Sequence, residues 1–166
     1  MTLNVAGLVR AAGGEIVGKI RLQKTVYLLQ EMGIRADLNF EYHHYGPYSE
    51  SLADQAECEV IFGELKSSER RRMGDGVPYV IYQLEGSNVE PLQLSPKQSA
   101  ALAEMQKTSA TVLELAATIH WLSVYEGFGA DWRKELIARK GAKTSSGRDQ
   151  AAFALLEKIG LPPAAQ

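Results

Sequence analysis

Apolar residues return at three- and four-residue steps along GKIRLQKTVYLLQEMG, residues 18–33, where Leu22, Val26, Leu29 and Met32 fall on one face. That period predicts an amphipathic helix ended by Gly33. Leu3, Val5, Leu8 and Val9 predict a shorter helix before it, stopped by Gly13-Gly14. From Phe40 to Tyr45 the chain is rich in aromatics and reads as extended, with Phe40, Tyr42 and His44 on the face expected to be buried. Gly46-Pro47 predicts a corner, because proline fixes its own φ and pushes the preceding residue out of helical geometry. Ser49 is placed to cap a helix over about residues 50–63, with Leu52, Ala56 and Val60 on its inner face. Residues 66–76, KSSERRRMGDG, read as an exposed loop, and PYVIYQLEG after them as a strand.

The second half is helical. Residues 88–94 read as a linker, and Ser95-Pro96 opens a helix. ATVLELAATIHWLSVY, residues 110–125, is apolar on several sides and is expected to be largely buried. Gly127 and Gly129 break it, a basic helix closes at Gly141, and a final amphipathic helix follows. The expected fold class is α+β, predominantly α-helical. A winged helix-turn-helix-like region with a small β-hairpin occupies residues 1–87, with residues 66–77 as its wing. A C-terminal helical bundle, residues 88–166, packs on it to form one compact domain.

Composition narrows the function classes. The 166 residues carry a formal charge of −2, which provides no global field for nucleic acid or acidic membrane. No apolar run approaches membrane-spanning length, and the start lacks the long apolar stretch of a signal peptide. One cysteine, Cys58, excludes an internal disulfide, so a reducing cytoplasm is the expected location. Cys58 itself reads as a small filler beside Val60 and Ile61.

Local charge is less even. Residues 49–64 hold five carboxylates (Glu50, Asp54, Glu57, Glu59 and Glu64) and no lysine or arginine. As a recognition helix this segment would be repelled by phosphate and lacks the arginines that read guanine. It suits docking onto another protein, with Glu50, Asp54, Glu57, Tyr45 and Tyr48 as the candidate contacts. Lys19, Arg21 and Lys24 at the start of the second helix, and Arg70, Arg71 and Arg72 in the wing, are the candidate nucleic-acid contacts. Residues 131–149 add six basic residues against three acidic ones.

Catalytic and metal chemistry is poorly marked. His43 and His44 are neighbours on a strand and point to opposite faces, so they do not share a metal ion. His44 is expected as a hydrogen-bonded core histidine, and His120 as a buried polar residue beside Trp121. Glu41, His43 and Tyr45 share a face and form the one candidate acid–base or small-ligand set. Glu57 and Glu59, two apart on a helix, diverge. No HExxH, CxxC, GxSxG, phosphate-loop or dinucleotide-glycine pattern occurs, so neither metal nor cofactor is expected.

Two blocks together resemble a known family. Gly18, Arg21-Leu22-Gln23-Lys24 and Tyr27-Leu28-Leu29, followed by Tyr45-Gly46-Pro47-Tyr48-Ser49 and Leu52, are similar to the YwgA-like family of prokaryotic proteins. LELAATIHWL, residues 113–122, matches that family's helix after the winged region. The pattern also resembles, more distantly, the Panacea domain of antitoxins, where a tryptophan typically precedes the Gly-Pro and this chain has Tyr45. The Panacea resemblance implies neutralisation of a toxin by direct binding and no cofactor. The expectation is therefore a non-enzymatic, protein-binding module, antitoxin-like or defence-related. The alternative is a winged-helix DNA-binding regulator, and the weaker one a ligand-binding or hydrolytic protein using residues 41–45.

Overall fold

The computed structural model describes residues 3–86 and 88–163. Helix α1 (Val5–Ala11) begins at Asn4, whose side chain accepts the Gly7 N–H at 2.6 Å. A second cap reaches it from far along the chain. The Glu59 carboxylate accepts the N–H groups of Val5 at 2.9 Å and Ala6 at 2.7 Å, satisfying donors that α1 itself leaves open. Strand β1 (Glu15–Val17) follows Gly13-Gly14, and α2 (Lys19–Glu31) supplies the buried side chains Leu22, Val26, Leu28 and Leu29.

Next come β2 (Glu41–His43) and β3 (Gly46–Tyr48), an antiparallel hairpin with His43 opposite Gly46. The sequence expectation put the corner at Gly46-Pro47; the two-residue turn is His44-Tyr45, and Gly46-Pro47 belongs to the returning strand. Pro47 is tolerated there because the hairpin is two-stranded and its missing N–H faces no ladder partner. His44 lies in the turn and is exposed, so its expected place in the core does not hold.

Ser49 caps α3 (Glu50–Ile61) by accepting the Leu52 N–H at 3.3 Å. The expected loop over residues 66–76 is mostly strand. β4 (Leu65–Arg71) pairs along its length with β5 (Pro78–Leu84), and β1 pairs on the other side of β5, giving the antiparallel order β1-β5-β4. β4 looked like a loop because it is an edge strand, exposed at nearly every position after Leu65.

Helix α4 (Pro96–Lys107) starts with a reciprocal cap between Ser95 and Gln98 and with Pro96 in its first turn. Helix α5 (Ala110–Val124) is the axis of the protein, packed against α2, α6 (Trp132–Lys140), α7 (Arg148–Ile159) and β3. Its run from Leu113 to His120 is buried throughout. A single hydrophobic cluster extends from α1 to α7. The fold is thus α+β and mainly helical, with small antiparallel sheets. Among the described residues no helix is long and apolar enough to cross a membrane.

Candidate functional site

The two sequence blocks that carry the family resemblance meet in space, through side chains of α2 that hold the backbone around β3. Gln23 makes a two-point contact with Ser49: its amide nitrogen donates to the Ser49 carbonyl and its amide oxygen accepts the Ser49 N–H, each at 2.9 Å. One helical position on, Lys24 Nζ donates to the Pro47 carbonyl at 2.6 Å. Arg21 reaches the other way, to the carbonyls of Met105 at 2.7 Å and Thr108 at 2.6 Å, fastening the α4–α5 connection. Gly46 has φ +90°, and a Cβ on it would stand 2.6 Å from Thr118 Oγ1 on α5, so only glycine fits.

A second clamp comes from the C-terminal half. Lys140 Nζ donates to the His44 carbonyl at 3.1 Å and lies 3.2 Å from the Glu114 carboxylate. Lys143 meets the same carboxylate at 3.0 Å and sits over the Tyr45 ring, 4.8 Å from its centroid. Burial drives the Lys24 ammonium down to about pKa 7, with Lys140 and Lys143 pushing the same way and Glu114 opposing. Lys140 is also lowered by burial.

The outer face of this arrangement is aromatic and acidic. The His43 ring stacks on Tyr48 at 4.8 Å, and His43 Nε2 is 3.8 Å from Glu41. The Tyr48 hydroxyl is raised by partial burial and by Glu50 and Asp54 nearby. Burial, Tyr48 and Glu57 raise that of Tyr82 on β5. The hairpin and the first turns of α3 therefore bring Tyr48, Glu50, Asp54 and Glu57 around one surface, while Tyr45 lies at the turn with Lys143. Glu59 leaves the acidic face: it is buried as the cap on α1 and divides from the exposed Glu57 as their spacing predicts.

The basic candidates are not brought together. Lys24 is 1% exposed and lies inside the fold, and Arg21 is spent on backbone carbonyls, so neither forms a phosphate-binding surface with Lys19. On the β4–β5 hairpin Arg72 pairs with Asp75 and Arg71 donates to the Gly76 carbonyl at 3.1 Å, so both fasten the turn, while Arg70 stands opposite Tyr79.

One polar array escaped the sequence reading. The Tyr27 hydroxyl is 2.7 Å from His120 Nδ1, His120 Nε2 is 3.9 Å from Glu31, and Tyr125 donates to Glu31 at 2.6 Å. Burial lowers His120 and raises Tyr27, so Tyr27 keeps its proton and donates it to a neutral imidazole. The spacing of Tyr27 and Glu31, one turn apart on α2, was the available signal. Among the described residues no three His, Cys, Asp or Glu side chains are grouped to hold a metal ion.

No family model matches the chain. An uncharacterised protein of Bacillus subtilis, YwgA, is 27% identical over 75% of this chain and 74% of its own length. A DNA ADP-ribosyl glycohydrolase of Thermus aquaticus is 31% identical over 97% of this chain, which spans 47% of that protein. That second relative overturns the expectation of a non-enzymatic protein, since its name is that of a hydrolase. The first is a similarity to YwgA over three quarters of both chains, in keeping with the resemblance that the sequence carries to the YwgA-like family.

Proposed function

We propose that this chain serves the reversal of DNA ADP-ribosylation, and that within it the hairpin–α3 surface docks a basic protein partner. The observation that carries the reading is the acidic and aromatic face of Tyr48, Glu50, Asp54 and Glu57, set on a rigid corner. The similarity to a DNA ADP-ribosyl glycohydrolase supplies the chemical setting. ADP-ribose that is removed from DNA must first be attached by a transferase, and an enzyme that modifies DNA presents a basic surface to phosphate. An acidic face is complementary to such a surface, and occupying it is an antitoxin-like action.

The test pairs a DNA ADP-ribosyltransferase with this chain. The wild type is expected to lower modification of an oligonucleotide and to form a salt-sensitive complex; E50K/D54K/E57K is expected to do neither. A parallel arm with already modified oligonucleotide reads release of ADP-ribose directly. Release without complex formation would move the function from docking to hydrolysis, and neither release nor a complex at low salt would end the proposal.

A second reading, DNA contact by a winged helix, is favoured by the element order and by the sheet order β1-β5-β4, with Arg70 on the hairpin. It requires a salt-dependent mobility shift that R70A weakens.

A further inference from the structure

Three lysine ammonium groups and one carboxylate meet beneath the His44-Tyr45 turn. The Glu114 carboxylate is 2% exposed and takes Lys140 at 3.2 Å and Lys143 at 3.0 Å. Lys24, from the opposite helix, has the Pro47 carbonyl as its acceptor, and the charges that act on it are Glu114, Lys140 and Lys143. Buried ions are stable when paired, and here the cations outnumber the carboxylate. Loss of the Lys24 proton relieves part of the excess, yet Lys140 and Lys143 still share one partner.

The excess has an outlet to solvent. The Lys143 side chain is 40% exposed, and Tyr45 beneath it is 48% exposed. Arg148 brings a further cation to the segment that carries Lys143, held by the carbonyls of Lys143 at 2.7 Å and Ala142 at 2.9 Å rather than by a carboxylate. We infer that this corner is an anion site that takes a phosphate group, with Lys143 as the contacting ammonium, Arg148 beside it, and Lys140 and Lys24 as the buried charge behind them. A phosphate matches the site better than a carboxylate, because the surplus positive charge lies behind one exposed ammonium, that of Lys143, and ammonium groups act on phosphate as point charges. The phosphate can belong to a nucleotide diphosphate or to a nucleic-acid strand, and the site is independent of which partner α3 docks.

The test is calorimetric titration of the full chain at low salt with pyrophosphate, ADP-ribose and a short single-stranded oligonucleotide. Binding of any one supports the site, and the tightest of the three identifies the source. K143M is expected to weaken that binding about tenfold and to reduce its salt slope by about one phosphate contact. K158M, whose ammonium pairs with Glu104 3.0 Å away on α4, serves as the control and is expected to bind as wild type. Absence of binding by all three ligands at millimolar concentration overturns the inference. So does unchanged binding by K143M, or an equal loss in K158M.

Discussion

Gly46→Ala is the sharpest single perturbation of the corner. Two costs add. The residue has φ +90°, a conformation that a side chain makes unfavourable by about 1–2 kcal/mol. The new Cβ would also stand 2.6 Å from Thr118 Oγ1, and relieving such overpacking in a tight interior costs about 1–3 kcal/mol. The sum, about 2–5 kcal/mol, is a large share of the stability of an ordinary domain. The two parts separate in a double-mutant cycle. Thr118→Ala alone loses the 2.8 Å bond to the Glu114 carbonyl and a little packing, but in the Gly46→Ala background it also removes the atom that clashes. The nearest remaining Thr118 atom, its Cβ, is at an ordinary 3.8 Å. Urea unfolding of the four proteins should therefore show G46A/T118A more stable than the sum of the single losses, by about 1–3 kcal/mol. Strict additivity, or a Gly46→Ala loss below about 0.5 kcal/mol, would refute the close approach of β3 to α5.

Three other outcomes follow from the same contacts. Glu59→Ala is expected to cost about 1–3 kcal/mol, since it strands the Val5 and Ala6 donors, while Glu57→Ala on the same helix should be nearly neutral; equal losses in urea midpoints would contradict the cap. Burial holds Lys24 at about pKa 7 against the ordinary lysine value of 10.5, so the unfolded chain binds the proton that the folded chain has shed. Stability should then rise as pH increases from 7 to 9, by at most about 1.4 kcal/mol per pH unit from this group, and Lys24→Met should flatten that slope while Lys140 retains part of it. Tyr27→Phe leaves His120 Nδ1 without its donor at a buried position, which should cost about 1–3 kcal/mol in thermal or urea unfolding; an unchanged midpoint would remove the hydrogen bond from the account.

Helix positions, caps at Ser49 and Ser95, and the burial of residues 110–125 were legible because period and capping are local properties. What failed depended on partners far away in the chain. The true turn at His44-Tyr45 is set by pairing of β2 with β3 and by the fit of Gly46 against Thr118, more than 70 residues on. β1 is three residues long and β4 is polar at its exposed edge, so neither shows an apolar alternation. Charge was the least legible property. Lys24 and Glu59 look like surface charges on helices, yet each is drawn inward by backbone groups, a carbonyl for one and two N–H groups for the other. Tyr48, Glu50, Asp54 and Glu57 stay near one another because they are close in sequence and α3 holds them, while Tyr45 lies apart at the turn with Lys143.

This division bears on how similarity within the family is read. Arg21, Gln23 and Lys24 make their bonds to main-chain carbonyls and an N–H, and Gly46 is required by a steric fit, so these signature residues specify a corner rather than a chemistry. The proposed partner contacts Glu50, Asp54 and Glu57 lie outside the clamp, whereas Lys143 also belongs to it through its ion pair with buried Glu114. Substitutions in the clamp should consequently impair both surfaces together through loss of stability. Charge changes at Glu50, Asp54 or Glu57 should affect the docking event alone and leave the unfolding midpoint close to wild type, while a change at Lys143 should also lower the midpoint through the loss of a partner for buried Glu114. That contrast separates a residue that builds the site from one that uses it.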